Sequence, residues 1–284
     1  MSLTPQERDN LTRWDGHQKD FYEAYTLKWN DPSGASASIR YSLTGIEVLF
    51  SETQEKIEIR QPFPLKDFRI EKDFFYFSAG DSAIFQSGAR GEITDEENTF
   101  SWELKFQEPS QSLRHYPTLL YHAGVPRLKS LAPRFSTKIS GEFKINDRTM
   151  TLQEVPGYQS HQWGAALPSS SVWGHCNAFD DPGFIFEGFS APPFTILFFL
   201  WEGKLYSFNS PTQWIKNKSE HSPDRWHFEA GTKDLLFVGD LHAESPLTLT
   251  ADLKIQILKK EKWGWEAIKT VTAQSSAAFE VKVP

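Results

Sequence analysis

Alternation of apolar and polar residues dominates the first part of the chain. In Phe21–Trp29, the side chains of Phe21, Tyr25, Leu27 and Trp29 share one face of a predicted strand, with Glu23 among them. The segment Asn30–Gly34 has the composition of a turn, and Ser36–Leu43 alternates again, so the two runs predict a hairpin.

Glu23 is a carboxylate on an otherwise apolar strand face, which is costly unless the charge is paired. Arg40, on the second strand of the predicted hairpin, is a candidate partner. The alternative is that Glu23 and Arg40 both reach solvent at the end of their strands.

Short strand-like segments continue at regular intervals, which is typical of an antiparallel barrel or sandwich. They are Lys56–Arg60, Phe68–Ile70, Phe74–Ser78, Ala83–Gln86, Arg90–Thr94 and Thr99–Gln107. Prolines interrupt this pattern between 108 and 133, and it resumes from Phe135 with a hairpin predicted to turn at Asn146–Asp147. The fold class predicted is all-β, with two antiparallel β-barrels packed together over residues 1–130 and 131–284.

The composition and net charge of the chain exclude several classes of function. The chain has 284 residues, a formal net charge of −7 at pH 7 and dispersed basic residues, so nucleic acid is not an expected partner. The single cysteine, Cys176, excludes an internal disulfide and fits a reducing compartment. The polar N-terminus resembles no signal peptide, and the longest apolar run, Phe194–Trp201, is too short to span a bilayer. We therefore expect a cytoplasmic protein, with transient contact with a membrane surface as a further expectation.

Two neighbouring segments concentrate aromatic, imidazole and glycine residues. Gly157–Gly164 contains Tyr158, His161 and Trp163, and Val172–Phe179 contains Trp173, His175 and Asn177. This mixture is typical of a pocket wall with a few placed polar atoms.

Each of these residue types also has a plainer interpretation. The imidazoles of His161 and His175 suit proton transfer, but the residues alone favour a structural role in which the rings tie strands to loop carbonyls. Trp163 and Trp173 are each followed by glycine, which clears space over an indole ring, whereas most of the other tryptophans are expected to pack in a core. No metal or other cofactor is expected, because adjacent His175 and Cys176 on a strand point to opposite faces.

The run Gly-Tyr-x-x-His-x-Trp-Gly at 157–164, followed by Trp-x-x-Cys-Asn at 173–177, resembles the signature of the AttH-like, carotenoid 1,2-hydratase and tocopherol cyclase group. The resemblance implies two lipocalin-like barrels with an apolar cavity near their junction. It also implies hydration, cyclisation or a related reaction of an isoprenoid or polyketide chain. Ser160 stands where hydratases and cyclases of that group carry an acid, so Glu23 or another carboxylate would have to supply a proton.

The sequence therefore predicts a protein that binds an apolar isoprenoid-like or lipid molecule and that hydrates, cyclises or isomerises it. His161, His175 and Glu23 are the candidate catalytic residues. The candidate ligand-binding residues are Tyr158, Trp163, Trp173, Asn177 and Arg40. The alternatives are a non-catalytic carrier of such molecules and a carbohydrate-binding or glycosidase β-sandwich.

Overall fold

The computed structural model describes residues 3–18, 20–31, 34–52, 55–107, 112–124, 126–164, 170–191 and 194–282. Pro32 and Ser33 of the predicted turn and residues 108–111 of the predicted break lie outside these residues. The described chain is almost entirely β-structure in two antiparallel sheets, which confirms the all-β prediction. None of the described helices combines the length and the apolar character that a membrane crossing needs.

The chain divides into two compact units, Met1–Leu167 and Pro168–Pro284. This division differs from the predicted boundary at 130/131. The two strands that follow residue 127 pair with the first and ninth strands of the chain and so belong to the first sheet. Local sequence patterns do not reveal that pairing, because it joins segments far apart along the chain.

The first unit begins with a short helix, α1 (Pro5–Asn10), capped by Thr4 and Glu7, and it also contains two 3₁₀ turns, Leu65–Asp67 and Thr118–Tyr121. Its strands are β1 (Tyr22–Asn30), β2 (Ala35–Ser42), β3 (Gly45–Glu52), β4 (Glu55–Pro62), β5 (Phe68–Ile70), β6 (Tyr76–Ala79), β7 (Ser82–Phe85), β8 (Gly88–Thr94), β9 (Thr99–Phe106), β10 (Leu113–Arg114), β11 (Leu128–Ile145) and β12 (Arg148–Gly164).

These strands form one sheet in the order β4-β3-β2-β1-β12-β11-β9-β8-β7-β6-β5, with β10 beside β11. The sheet curls around its own core. The hydroxyl of Tyr41 on β2 donates to the Ala83 carbonyl on β7 over 3.2 Å and accepts from the Trp102 indole on β9 over 2.7 Å. At the edge, the Thr94 amide donates to the Gln61 side chain on β4 over 3.3 Å.

The second unit contains one short helix, α2 (Pro211–Lys216). Its strands are β13 (Ser171–Cys176), β14 (Ile185–Ala191), β15 (Phe194–Trp201), β16 (Lys204–Phe208), β17 (Lys218–Ser222), β18 (Arg225–Gly231), β19 (Leu235–His242), β20 (Leu247–Glu261) and β21 (Gly264–Lys282).

The sheet of the second unit runs β16-β15-β14-β13-β21-β20-β19-β18-β17. Phe186 on β14 stacks on Phe228 on β18, with ring centroids 4.5 Å apart, so this sheet also curves around a core. Gly188 on β14 is needed there, because a Cβ at that position would lie 2.6 Å from the Trp226 ring.

Candidate functional site

The two segments singled out in the sequence are strands, and they belong to different units. His161 and Trp163 lie on β12 of the first unit, whereas Trp173 and His175 lie on β13 of the second. Successive side chains of a strand point to opposite faces, so neighbouring residues of each segment lie on different faces of the sheet. On β12, Tyr158 pairs with Lys28 and points to the face opposite to that of His161, which pairs with Tyr25.

Glu23 and His161 form a buried pair at one end of the first unit's core. Neither side chain is exposed at all, and His161 Nε2 lies 2.7 Å from Glu23 Oε1. The Glu23 carboxylate also accepts the backbone N–H groups of Arg13 over 2.7 Å and Trp14 over 2.8 Å. The Tyr25 hydroxyl lies 3.3 Å from the same carboxylate. Burial, together with the nearby Glu23 charge, raises the pKa of Tyr25 well above its ordinary value, so that hydroxyl keeps its proton.

The hydrogen bonds determine where the protons of this pair reside. The Asp9 carbonyl, 3.0 Å from His161 Nδ1, can only accept, so Nδ1 carries a proton. The short Nε2–Oε1 contact holds one more proton, which the two side chains share in a hydrogen bond. The imidazole ring lies between Tyr25, stacked at 4.3 Å, and Trp163, at 4.6 Å. The two side chains are therefore joined by a hydrogen bond and shielded from water.

This buried pair fastens the N-terminal arm, residues 9–14, to the sheet. Further hydrogen bonds hold the same arm, because Gln159 donates to the Asn10 side chain over 2.9 Å and in turn accepts from the buried Arg134 over 2.6 Å. On the arm's other side, Asp9 forms an ion pair with Arg114 at 2.8 Å. Both ring nitrogens of His161 are thus committed to the protein while the arm is in place.

The predicted pairing of Glu23 with Arg40 is wrong, as is the alternative that Glu23 reaches solvent. Arg40 lies opposite Thr26 on the β1–β2 ladder, so its side chain is on the other face of the sheet from Glu23. Its guanidinium contacts Glu47 at 3.5 Å. The partner of Glu23 is instead His161 on β12, near the end of the first unit's sequence.

Protein groups pack against the Trp163 ring. Tyr121 stacks on it with centroids 5.8 Å apart, and the Arg13 guanidinium lies 5.2 Å from the ring centroid. Trp163 is 9% exposed, so its indole is packed among the groups that hold the N-terminal arm.

The second unit contains another buried carboxylate and imidazole side by side. His175 on β13 lies directly opposite Glu187 on β14, and the two side chains are 0% and 1% exposed. The partly buried Trp173 ring is parallel to the His175 ring at 6.3 Å, and its indole N–H lies 3.5 Å from Glu187 Oε1. Glu280 on β21 is the register partner of Trp173, so a second carboxylate borders the same face. We call Trp173, His175, Glu187 and Glu280 the β13 cluster.

The β13 cluster lies on the face of the sheet that the unit's own core does not use. The core side of β13 carries Val172 and Cys176, and odd and even positions of a strand point to opposite faces. Around the cluster the sheet presents buried apolar side chains, among them Ile185, Ile196 and Phe198. Asn177 follows β13 and is also buried.

Sequence reasoning missed Glu187, although the signal was available. It lies in Ile185-Phe-Glu-Gly-Phe189, a carboxylate in an apolar strand, as Glu23 does in β1. Within the described part of the chain, no group of three or more His, Cys, Asp and Glu side chains converges as a metal site would require.

Comparison with known proteins gives the fold but no family. No family model matches the sequence, and no curated protein matches it. Among solved structures, the crystal structure of CghA aligns with a TM-score of 0.56 and 9% identity, covering 93% of this chain and 88% of that one. The crystal structure of CghA with Sch210972 aligns with a TM-score of 0.52 and 10% identity, covering 92% and 88%. At such low identity the likeness concerns the fold alone.

Proposed function

We propose that this protein binds an apolar, isoprenoid-like or lipid small molecule at the β13 cluster, and that Glu187 and His175 exchange a proton with it. The observation that carries the proposal is a carboxylate and an imidazole, both buried and directly opposite each other, on an apolar sheet face outside the unit's core. Buried ionisable groups are costly, and they concentrate where binding or proton transfer needs them.

The chemistry available at the β13 cluster fits the reactions that the AttH-like resemblance implies. Hydration, cyclisation and isomerisation of an alkene each begin or end with proton transfer, for which a carboxylic acid and an imidazole are suitable groups. The Trp173 ring would stabilise a developing carbocation across its face. CghA, whose fold is similar, has been crystallised with the compound Sch210972.

His161 and Glu23, the other predicted catalytic residues, are less suited to exchanging a proton with a ligand. Their hydrogen-bonding atoms are occupied by the protein's own arm, so proton exchange with a ligand would require the arm to leave. This saturation, with Ser160 at the position of the acid in the resembling group, favours the second candidate function, a non-catalytic carrier of the same ligand class.

The binding part of the proposal is tested by ligand extraction and by titration with an isoprenoid probe. Solvent extracts of the purified protein are analysed by mass spectrometry, and all-trans-retinol is titrated while its fluorescence is followed. Trp173→Ala should weaken retinol binding about 10-fold or more, since truncating a buried aromatic contact typically costs over 1 kcal/mol. Trp263→Ala, which removes an indole that is 89% exposed, is the matched control. Equal affinity of the two variants would refute binding at the β13 cluster.

The catalytic part is tested separately by neutralising the acid. Glu187→Gln should keep ligand binding and lower the turnover of an extracted ligand by about 10²- to 10⁴-fold, the usual contribution of a positioned acid or base. Glu266→Gln, at an exposed position on β21, is the control. If the native protein returns the ligand unchanged while binding it stoichiometrically, the carrier function is correct and the catalytic one is not.

A further inference from the structure

The hairpin formed by β20 and β21 ends in an aromatic and basic tip, residues 259–265. Glu261 pairs with Gly264 across the turn, which places Lys262 and Trp263 at its end. Trp263 is 89% exposed and Trp265 is 40% exposed, and Ile268 further along β21 is 46% exposed. Large exposed apolar side chains grouped in this way mark an interaction surface rather than ordinary surface scatter.

The tip has the opposite charge to the molecule as a whole. Lys259, Lys260 and Lys262 lie within four consecutive positions, in a chain whose formal net charge is −7. Glu261 contacts Lys259 at 3.2 Å. The other two ammonium groups lie over indole rings, Lys260 at 5.0 Å from the Trp265 centroid and Lys262 at 4.8 Å from the Trp263 centroid.

Indole and lysine side chains together suit the boundary between water and lipid. Tryptophan prefers the interfacial layer, where its ring is buried and its N–H stays hydrated. Lysine buries its methylene stem and directs its ammonium group to the phosphates. Basic residues also gain energy from the negative potential of an anionic leaflet, while the acidic remainder of the chain is repelled.

We infer that the hairpin tip docks this protein on anionic phospholipid bilayers, with Trp263 and Trp265 in the headgroup layer and Lys260 and Lys262 on lipid phosphates. The charge complementarity between the basic tip and an anionic leaflet, together with two exposed indoles beside the lysines, is the argument for this partner. The inference does not depend on the proposed function, although a protein docked in this way would exchange apolar ligands directly with the bilayer.

Vesicle co-flotation of the full-length protein tests this inference. The protein should float with phosphatidylcholine vesicles that contain phosphatidylserine, at low salt, and much less with phosphatidylcholine alone. Lys260→Gln with Lys262→Gln should weaken binding about 25-fold, from roughly fivefold for each lysine near an anionic surface. Trp263→Ala with Trp265→Ala should also abolish flotation, together with the blue shift of tryptophan emission.

The matched control is Ile215→Ala with Lys216→Gln on α2, which removes an apolar side chain that is 78% exposed and a neighbouring exposed cation. It should float like the native protein. Flotation that is unchanged by the lysine substitutions, or equal on neutral vesicles, would overturn the inference. Sedimentation showing a dimer that Trp263→Ala dissociates would also overturn it, because the tip would then bind a second copy.

Discussion

A single buried pair, Glu23 with His161, holds the start of the chain. It forms hydrogen bonds with the Asp9 carbonyl and with the Arg13 and Trp14 amides. Ionisable side chains at full burial are stabilising only when their remaining hydrogen-bonding capacity is used. The arm supplies those partners, so the arm and the buried pair depend on each other.

Glu23→Ala should therefore destabilise the protein by about 3–5 kcal/mol, because it breaks a buried pair and leaves the His161 ring and two arm amides without their partner. The loss is measured by urea unfolding. Trypsin should also cut the variant faster after Arg13, since the arm has lost two of its anchors.

Glu103→Ala, at an exposed position on β9, is the control for Glu23→Ala and should change stability by less than about 0.5 kcal/mol. If Glu23→Ala and Glu103→Ala unfold at the same urea concentration, the buried pair does not hold the arm.

His227 gives a pH-dependent contribution to stability. Burial opposes its charged form, but Asp240, at 2.9 Å from Nδ1, and Glu229, at 3.5 Å from Nε2, raise the pKa of His227 above its ordinary value. A raised folded-state pKa contributes stability that is fully present below the unfolded value of about 6.5 and is lost as pH rises through the folded value. The pKa of Glu229 is lowered mainly by its hydrogen bond with Lys218, and that of Asp240 is lowered by His227 against the effect of burial. The stability that these two carboxylates contribute is lost as pH falls through their folded-state pKa values.

We expect His227→Gln to lower the melting temperature most between roughly pH 5 and pH 6.5, with the difference shrinking above that window. Melting curves of both proteins across pH measure it, and an NMR titration of the His227 ring gives the midpoint directly. A midpoint below about 6.5 would contradict the assignment.

At the level of elements, the alternation of apolar and polar residues predicts the strands well but does not predict the bulges within them. β11 shifts register at three places along its pairing with β12, and one of them falls between Ile139 and Gly141. Gly141 has φ of 139°, and a Cβ there would lie 2.1 Å from the Glu103 carbonyl oxygen. Glycine is required at this bulge, because β9 and β11 approach each other closely.

Gly141→Ala should consequently cost about 1–3 kcal/mol, combining an unfavourable φ with a steric clash. Chemical denaturation measures the loss. Gly183→Ala is the matched control, since a Cβ at that position would meet only an Asp181 oxygen at 3.7 Å. Equal stability of the two variants would show that β11 relaxes at the bulge without cost.

One element of the second unit shows why strand-like composition misleads over short stretches. The residue types in Gln213–Lys216 favour a strand, yet these residues form the end of helix α2. Pro211 occupies the first turn, and the Ser210 amide donates to the Gln213 side chain over 3.3 Å, so the start signals of a helix outweigh the apolar residues that follow.

At the scale of the whole molecule, the position of the boundary between the units determines which fragments contain a complete sheet. A division at 130/131 would separate β12 and most of β11 from their partners β1 and β9, whereas a division at 167/168 leaves each sheet complete. Among the residues that the structure describes, the core of the second unit is built from side chains between Val172 and Val281. A unit with its own sheet and core has what independent folding requires.

We therefore expect a fragment of residues 168–284 to be soluble and to unfold in one cooperative thermal step by circular dichroism. A fragment of residues 131–284 carries strands without partners and should aggregate. If both fragments behave alike, the strands β11 and β12 are not integral to the first sheet.

The sequence by itself determined the all-β class and the hairpin turning at Asn146–Asp147, since each follows from alternation or composition over a few neighbouring residues. Tertiary structure alone decided that Glu23 pairs with His161 rather than Arg40, that β12 belongs to the first sheet, and that Glu187 faces His175. Those outcomes depend on which distant strands become neighbours and in which register. A shift of one residue would send every side chain to the opposite face, and no local pattern encodes it.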